Sequence, residues 1–167
     1  MTFEPSNIQD IDEIFSFYNL AIAYQKTKFN KQWQGFERSL VKTEIAENRQ
    51  WKIIIDNEIA CVFAITFEDK SIWKEKNKDK AVYFHRIVTH PKFRGQHFVK
   101  RIIEWGKPFA KENNLDFLRM DTWGDNEALI EYYQNCGFNF LGIITPEYKG
   151  LPKHYEGITL SLFEIKI

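Results

Sequence analysis

The run Tyr83-Phe84-His85-Arg86-Ile87-Val88-Thr89-His90-Pro91-Lys92-Phe93-Arg94-Gly95-Gln96-His97-Phe98-Val99 gathers residue types suited to chemistry within a short stretch of chain. A β-branched and aromatic strand pattern passes through a turn containing Arg94 and Gly95 and gives way at once to a helical pattern. The first amides of such a helix have no internal acceptors, and the helix dipole adds partial positive charge there. That end can hold a phosphate with backbone N–H groups alone. His85 carries an imidazole whose ordinary pKa of about 6.5 suits proton acceptance near neutrality, although a strand histidine also serves as a satisfied, partly buried residue. A second grouping runs from Asp121 to Phe138. Within it Asn126 and Tyr133 stand two helical turns apart and share a face. Gly137 ends that helix, because glycine accepts the left-handed conformation. Cys61 and Cys136 lie outside any metal-ligand spacing, so they read as small buried hydrophobes and no metal is expected.

These residues need elements to position them. Ser6 and Gln9 form a capping-box pair, and Ile8, Ile11, Ile14, Phe15, Tyr18 and Ile22 recur at helical spacing, which predicts a helix from about residue 7 to 23. Tyr24 to Phe36 reads as a loop or short helical turns, and Glu37 to Glu47 as a second helix. Trp51 to Ile55 and Ile59 to Phe67 read as strands of an antiparallel hairpin turned by Asp56-Asn57-Glu58. Asp69 to Lys80 is charged and reads as a surface loop. Ala81 to Thr89 is a strand ended by His90-Pro91. Gln96 to Glu112 is a helix with a kink or early end expected at Pro108. Leu115 to Thr122 is a strand, Asn126 to Cys136 a helix, Phe138 to Ile144 a strand, and Ile158 to Ile167 a strand able to pair beside it. The succession points to one α/β domain with a mixed sheet over residues 1–167.

On these two groupings, covering residues 81–142, the chain resembles the GCN5-related N-acetyltransferase (GNAT) superfamily. The strand, the Pro-x-x-Arg-Gly turn and the helix look like its acyl-CoA pyrophosphate motif. Asn126, Tyr133 and Gly137-Phe138 look like its next block. The resemblance implies a mixed, mostly antiparallel central sheet flanked by helices. It also implies direct acetyl transfer from acetyl-CoA to a primary amine of a small molecule or peptide, with no acyl-enzyme. The amine must lose a proton to attack, the oxyanion needs a donor, and the departing thiolate benefits from a proton.

By the same resemblance Tyr133 is the acid at the sulfur, and its alternative is a packing residue beside Tyr132. Asn126 contacts the pantetheine arm or caps its helix, a role Asp125 could also fill. Backbone groups of Ile87, Val88 and Thr89 line the pantetheine as an added strand would. Arg94, Gly95, Gln96, His97, Phe98 and Val99 hold the diphosphate through their amides. His85 is the candidate base, with Glu68, Asp69 and Asp121 as rivals. His97 and Val99 depart from the family's usual Arg/Gln-x-x-Gly-x-Gly/Ala turn, where small residues let phosphates approach the backbone.

The 23 basic and 23 acidic side chains balance to a formal net charge of zero, which removes the electrostatic case for a nucleic-acid or anionic-membrane partner. No apolar run approaches the roughly 20 residues of a membrane span. Met1 to Pro5 lacks a basic start and an apolar stretch, so a reducing cytoplasm is the expected location. The resemblance allows a homodimer through the last strands. Two further functions fit the same fold, a non-catalytic acyl-CoA-binding or sensing module and a protein-interaction domain.

Overall fold

Asp56 and Asn57 take φ of 50° and 64°, the left-handed pair that closes a two-residue hairpin in step with strand twist. In the computed structural model this turn joins β2 (Gln50–Ile55) to β3 (Glu58–Thr66), as the sequence predicts. The model describes residues 1–29, 32–124, 126–147 and 157–167. The other elements are β1 (Thr2–Pro5), α1 (Ile11–Lys28), α2 (Arg38–Ala46), α3 (Lys70–Trp73), β4 (Ala81–Thr89), α4 (Phe98–Glu112), β5 (Phe117–Trp123), α5 (Glu127–Asn135), β6 (Asn139–Ile144) and β7 (Leu160–Lys166). Among the described residues the sheet order is β1-β2-β3-β4-β5-β7-β6. The sheet is mixed and mostly antiparallel, with β4 and β5 parallel, and helices flank it. Among the described residues no helix is long and apolar enough to cross a membrane.

The chain divides into two compact units, Met1–Ile65 with Arg86–Gln96, and Thr66–His85 with His97–Ile167. In the first, Ile11, Ile14, Phe17 and Tyr18 of α1 and Val41 and Ile45 of α2 form a core with Val62 and Val88. In the second, Ile72, Trp73, Ala81, Tyr83, Leu160 and Leu162 form another.

Local chemistry moves several boundaries from their expected places. The capping box belongs to Asn7 and Asp10 rather than Ser6 and Gln9. Asn7 Oδ1 accepts from Gln9 N (2.9 Å), and Asp10 Oδ2 accepts from Asn7 N (2.7 Å). A 3-10 turn follows, so α1 starts later than expected. It also runs to Lys28, into the expected loop. Beyond it Gln25 Oε1 accepts from Trp33 N (2.8 Å), and Trp33 and Phe36 pack on the Tyr18 ring. Asn30 and Lys31 of that expected loop lie outside the described residues. β1 has no sequence signal beyond Phe3, yet it pairs with β2 from Thr2↔Ile54 to Pro5↔Trp51.

Two corrections fall in the second unit. The expected surface loop at Asp69–Lys80 is instead helical, with Ile72 and Trp73 buried. The cause is Arg119 of β5, fully buried. Its guanidinium donates to Glu164 Oε2 (2.7 Å), to the Lys76 carbonyl (2.6 Å), to the Tyr83 hydroxyl (3.2 Å) and to Asp79, and lies over the Trp73 ring at 4.9 Å. Of the kink or early end expected at Pro108, the early end does not occur, since α4 continues to Glu112. Proline removes one helical bond, but packing holds the last turns. Trp105 stacks on Phe109 (4.8 Å), Ala110 is buried, and Gly106 lies so close to β4 that a Cβ there would stand 2.8 Å from the Phe84 ring.

Replacing Arg119 with leucine strands Glu164, Asp79 and a buried carbonyl. Urea unfolding should show a loss of about 3 kcal/mol, because breaking a buried ion pair from one side leaves the other side's desolvation uncompensated.

Candidate active site

The parallel ladder between β4 and β5 runs from Ala81↔Phe117 to Phe84↔Met120, while β4 itself continues to Thr89 and β5 to Trp123. Two residues after the last pair the backbone of β4 turns. Arg86 has a φ of 49°, a left-handed conformation rare for a side-chain-bearing residue inside a strand. Its side chain holds the turn in place. The guanidinium pairs with the buried Glu44 of α2 and donates through Nε to the Tyr18 hydroxyl (3.2 Å), which in turn donates to Gln50 Oε1 (3.0 Å). The Phe36 ring lies 5.1 Å from the guanidinium carbon. Val88 is buried in the first unit's core, and Thr89 stands beside Cys61. Beyond the strand, the His90 amide donates to the Ala60 carbonyl (2.9 Å).

The turn after β4 is exposed from Arg94 to His97 and then buries Phe98 and Val99. Pro91–Phe93 forms a 3-10 turn capped by His90 Nδ1, which accepts from Lys92 N (3.2 Å). Arg94 lies over the Tyr24 ring at 4.6 Å. Gly95 has a φ of 82°, and a Cβ built there would meet nothing within 4 Å. His97 also adopts a left-handed φ, 54°, at the N-cap of α4. The backbone thus keeps at His97 the conformation a glycine would take without cost. The first helical bond there runs from Arg101 N to the His97 carbonyl (3.2 Å), so the amides before Arg101 point out of the helix end. α4 therefore starts at Phe98, two residues after the expected Gln96. First-turn amides of a helix such as α4 are of the kind that hold a phosphate group.

Asn126 caps α5, its Oδ1 accepting from Leu129 N (3.0 Å); Asp125, the other capping candidate, lies outside the described residues. Tyr133, half-buried on α5, packs against Phe163 (5.2 Å) and Tyr132 (5.3 Å). Burial pushes its phenol above the ordinary value, with help from the nearby Tyr132, Cys136 and Asp121, while a hydrogen bond with Thr122 opposes the shift. The hydroxyl therefore stays protonated at neutral pH. Burial also pushes the Cys61 thiol up to about 12 and raises that of Cys136, which keeps both thiols from nucleophilic use.

His85 stands on β4 two residues beyond Tyr83, and Asp121 stands on β5 two residues beyond Arg119, the register partner of Tyr83. Strand alternation puts all four on one face. Asp69, just before α3, joins them, with its Oδ2 3.5 Å from His85 Nε2. One polar atom from each of Asp69, His85 and Asp121 lies within 4.8 Å of the others. Asp69 Oδ2 and Asp121 Oδ1 are buried and have no hydrogen-bond partner among the described residues. Burial pushes Asp69 up to about 6 against a hydrogen bond from Ile72 N. Burial, then the charge of Asp69, pushes Asp121 up to about 8. Of the sequence-selected residues, the second unit brings these three together; Glu68 is exposed and pairs with Lys70 (2.8 Å). The signal in the sequence was the polar pair Arg119 and Asp121 alternating with Leu118 and Met120, a polar face on an otherwise apolar strand.

The family model for the acetyltransferase (GNAT) family matches residues 9–138. The chain is 20% identical over 146 residues to an uncharacterized N-acetyltransferase, YesJ, of Bacillus subtilis, covering 83% of this chain and 81% of that protein. The crystal structure of a GNAT-family acetyltransferase from Listeria monocytogenes superposes with a TM-score of 0.79 at 20% identity, over 99% of this chain and 94% of that one. A putative acetyltransferase from Salmonella typhimurium, solved with its cofactor acetyl-CoA, superposes with a TM-score of 0.69 at 11% identity, over 99% and 93%.

The two raised carboxyls carry a consequence for stability. An unfolded aspartate titrates at about 3.9, so the folded chain binds more protons than the unfolded one up to the folded values of about 6 and about 8. Stability should therefore fall as pH rises from about 4 to about 8. Asp121→Asn should flatten the upper part of that slope in urea unfolding followed against pH.

Proposed function

Because the chain belongs to the acetyltransferase (GNAT) family, we propose that it transfers an acetyl group from acetyl-CoA directly to a primary amine of a small molecule or peptide. One observation carries this reading. β4 leaves its ladder after Phe84, at the left-handed Arg86, and is followed by a glycine turn that opens a helix. An extended edge next to an anion-binding helix end suits a ligand with a peptide-like arm and a diphosphate.

Acetyl-CoA, when bound, supplies a thioester whose acyl carbon is open to attack. Backbone groups of Ile87, Val88 and Thr89 hold its arm, and the amides from Arg94 to Val99 hold its diphosphate. His97 serves through its amide, since its backbone already has the glycine-like conformation. The buried side chains of Phe98 and Val99 brace the helix end. Asn126, spent on capping, fixes the start of α5 and with it Tyr133. Tyr133 keeps its proton at neutral pH and offers it to the sulfur as negative charge develops there. His85 accepts a proton from the acceptor nitrogen. In this proposal residues 1–167 act as one acetyltransferase domain in a reducing cytoplasm, where Cys61 and Cys136 stay free thiols.

The test is thiol release from acetyl-CoA over a panel of putrescine, free amino acids and a short peptide with a free N-terminus. Turnover with at least one amine is expected. Tyr133→Phe should lower kcat by about 100-fold or more while leaving the thermal stabilisation by CoA unchanged. Stabilisation by CoA with no turnover on any amine would favour a sensing module. No stabilisation at high CoA would overturn the reading altogether.

A further inference from the structure

Buried carboxylate oxygens normally find a hydrogen-bond donor or ligate a metal. Asp69 Oδ2 and Asp121 Oδ1 are buried and have no hydrogen-bond partner among the described residues. The guanidinium two residues back along β5, that of Arg119, is committed to Glu164, Asp79, the Tyr83 hydroxyl and the Lys76 carbonyl. One ligand atom from each of Asp69, His85 and Asp121 lies within 4.8 Å of the other two. Asp69 Oδ2 stands 3.5 Å from His85 Nε2. That is longer than the roughly 2.7–3.2 Å of a hydrogen bond. It matches two ligands on one ion, since donors about 2.1 Å from a tetrahedral zinc stand about 3.4 Å apart.

Each ligand sits on a separately anchored stretch of backbone. The Asp69 amide donates to Asn77 Oδ1 and its carbonyl accepts from Trp73 N (2.9 Å), which fixes the start of α3. His85 and Asp121 each follow directly on the last β4–β5 pair, Phe84↔Met120, so they are neighbours across parallel strands. Asp121 is held on its other side by its register partner Leu162 of β7. The three donors therefore converge before any ion arrives. His85 keeps 23% of its side chain exposed and Asp69 11%, which leaves a route in from solvent.

The donor set selects the ion. Calcium takes six to eight oxygen ligands, and magnesium keeps oxygens and water around it. An imidazole with two carboxylates suits zinc or a neighbouring first-row dication. Two carboxylates and one dication sum to zero, so both buried oxygens gain a counter-charge and none is left over. The absence of metal expected from the sequence rested on cysteine spacing, and none of these ligands is a cysteine.

We propose that Asp69 Oδ2, His85 Nε2 and Asp121 Oδ1 bind a zinc-class divalent ion, and that its occupancy switches acetyl transfer off. Three protein ligands leave a fourth position for water. An Nε2 lone pair given to the ion cannot also accept a proton from the acceptor nitrogen, so the two events exclude each other. Metal binding stands apart from the acetyl-transfer reading; the switch rests on it.

The experiment uses the full chain, stripped with EDTA, freed of the chelator and titrated with cobalt(II) and then zinc(II) without acetyl-CoA. Cobalt should give a visible absorption band that saturates at one ion per chain, and zinc should displace it. Asp121→Asn and His85→Gln should each weaken zinc by about 100-fold or more, at or beyond the most that loss of an outer-shell partner costs. Stabilisation by CoA should persist in both, and His90→Gln should bind zinc as the unmodified chain does. The cobalt band and its stoichiometry decide the matter even if a variant does not fold. No band in the unmodified chain, zinc affinity unchanged by Asp121→Asn and His85→Gln, or magnesium binding as tightly as zinc would overturn the site. Acetylated amine, measured by mass spectrometry because zinc captures free thiols, should fall about tenfold at zinc about ten times its dissociation constant. EDTA should restore it. Product formation unchanged by bound zinc would overturn the switch. No product from the metal-free chain with any amine would instead overturn the acetyl-transfer reading, leaving the metal site to stand or fall on its own data.

Discussion

Arg86 holds a left-handed backbone in the middle of a strand, and the candidate site depends on it. A non-glycine residue there costs about 1–3 kcal/mol unless its surroundings over-determine it. Here they do. The guanidinium is caught between buried Glu44, the Tyr18 hydroxyl and the Phe36 ring, and Arg49 stands 3.8 Å from the same carboxylate. Tyr18 is tied to Gln50, and Gln50 Nε2 to the Phe63 carbonyl (3.1 Å), so the network reaches from α1 through β2 to β3. The strain is stored in one residue and held by a polar core built for it. The last β4–β5 pair, Phe84↔Met120, comes two residues before Arg86.

Charge is divided unequally across a chain that is neutral overall. The buried arginines, Arg86 and Arg119, are saturated with acceptors and act as structural pins. The carboxyls of Asp69 and Asp121 each keep one buried oxygen without a hydrogen-bond partner among the described residues, and burial pushes them up to about 6 and about 8. Groups of the first kind stabilise; groups of the second kind cost stability and cluster at functional sites. Burial also raises the phenol of Tyr133, which stays protonated at neutral pH. An acid and a base whose environments hold them in the right protonation states are what amine acylation requires.

Much of this was legible in the sequence because it is local. The hairpin turned by Asp56 and Asn57, the strand ended by His90-Pro91, the Gly95 turn and the α5 block with Asn126, Tyr133 and Gly137 all rest on neighbours within a few residues. What the sequence hid depends on distant partners. A charged stretch after Asp69 reads as a loop until Arg119, far along the chain, supplies a buried hub for it. Pro108 reads as a kink or early end of its helix until Gly106, Phe109 and Ala110 are seen packed. His97 and Val99 read as departures from a glycine-lined turn, yet the backbone at His97 takes the glycine conformation and Val99 turns its side chain into the core. The Arg86 clamp left no local trace, since Glu44 lies on a separate helix and nothing near Arg86 marks the break in β4.

Hydrogen exchange of the backbone amides, measured with and without acetyl-CoA, tests the central claim most directly. Protection is expected at residues 87–89 and 94–99, with the amides of α2 and of the β2–β3 hairpin unchanged. Exchange at Ile87, Val88, Thr89 and the Gly95 turn that is the same with and without saturating acetyl-CoA would contradict it.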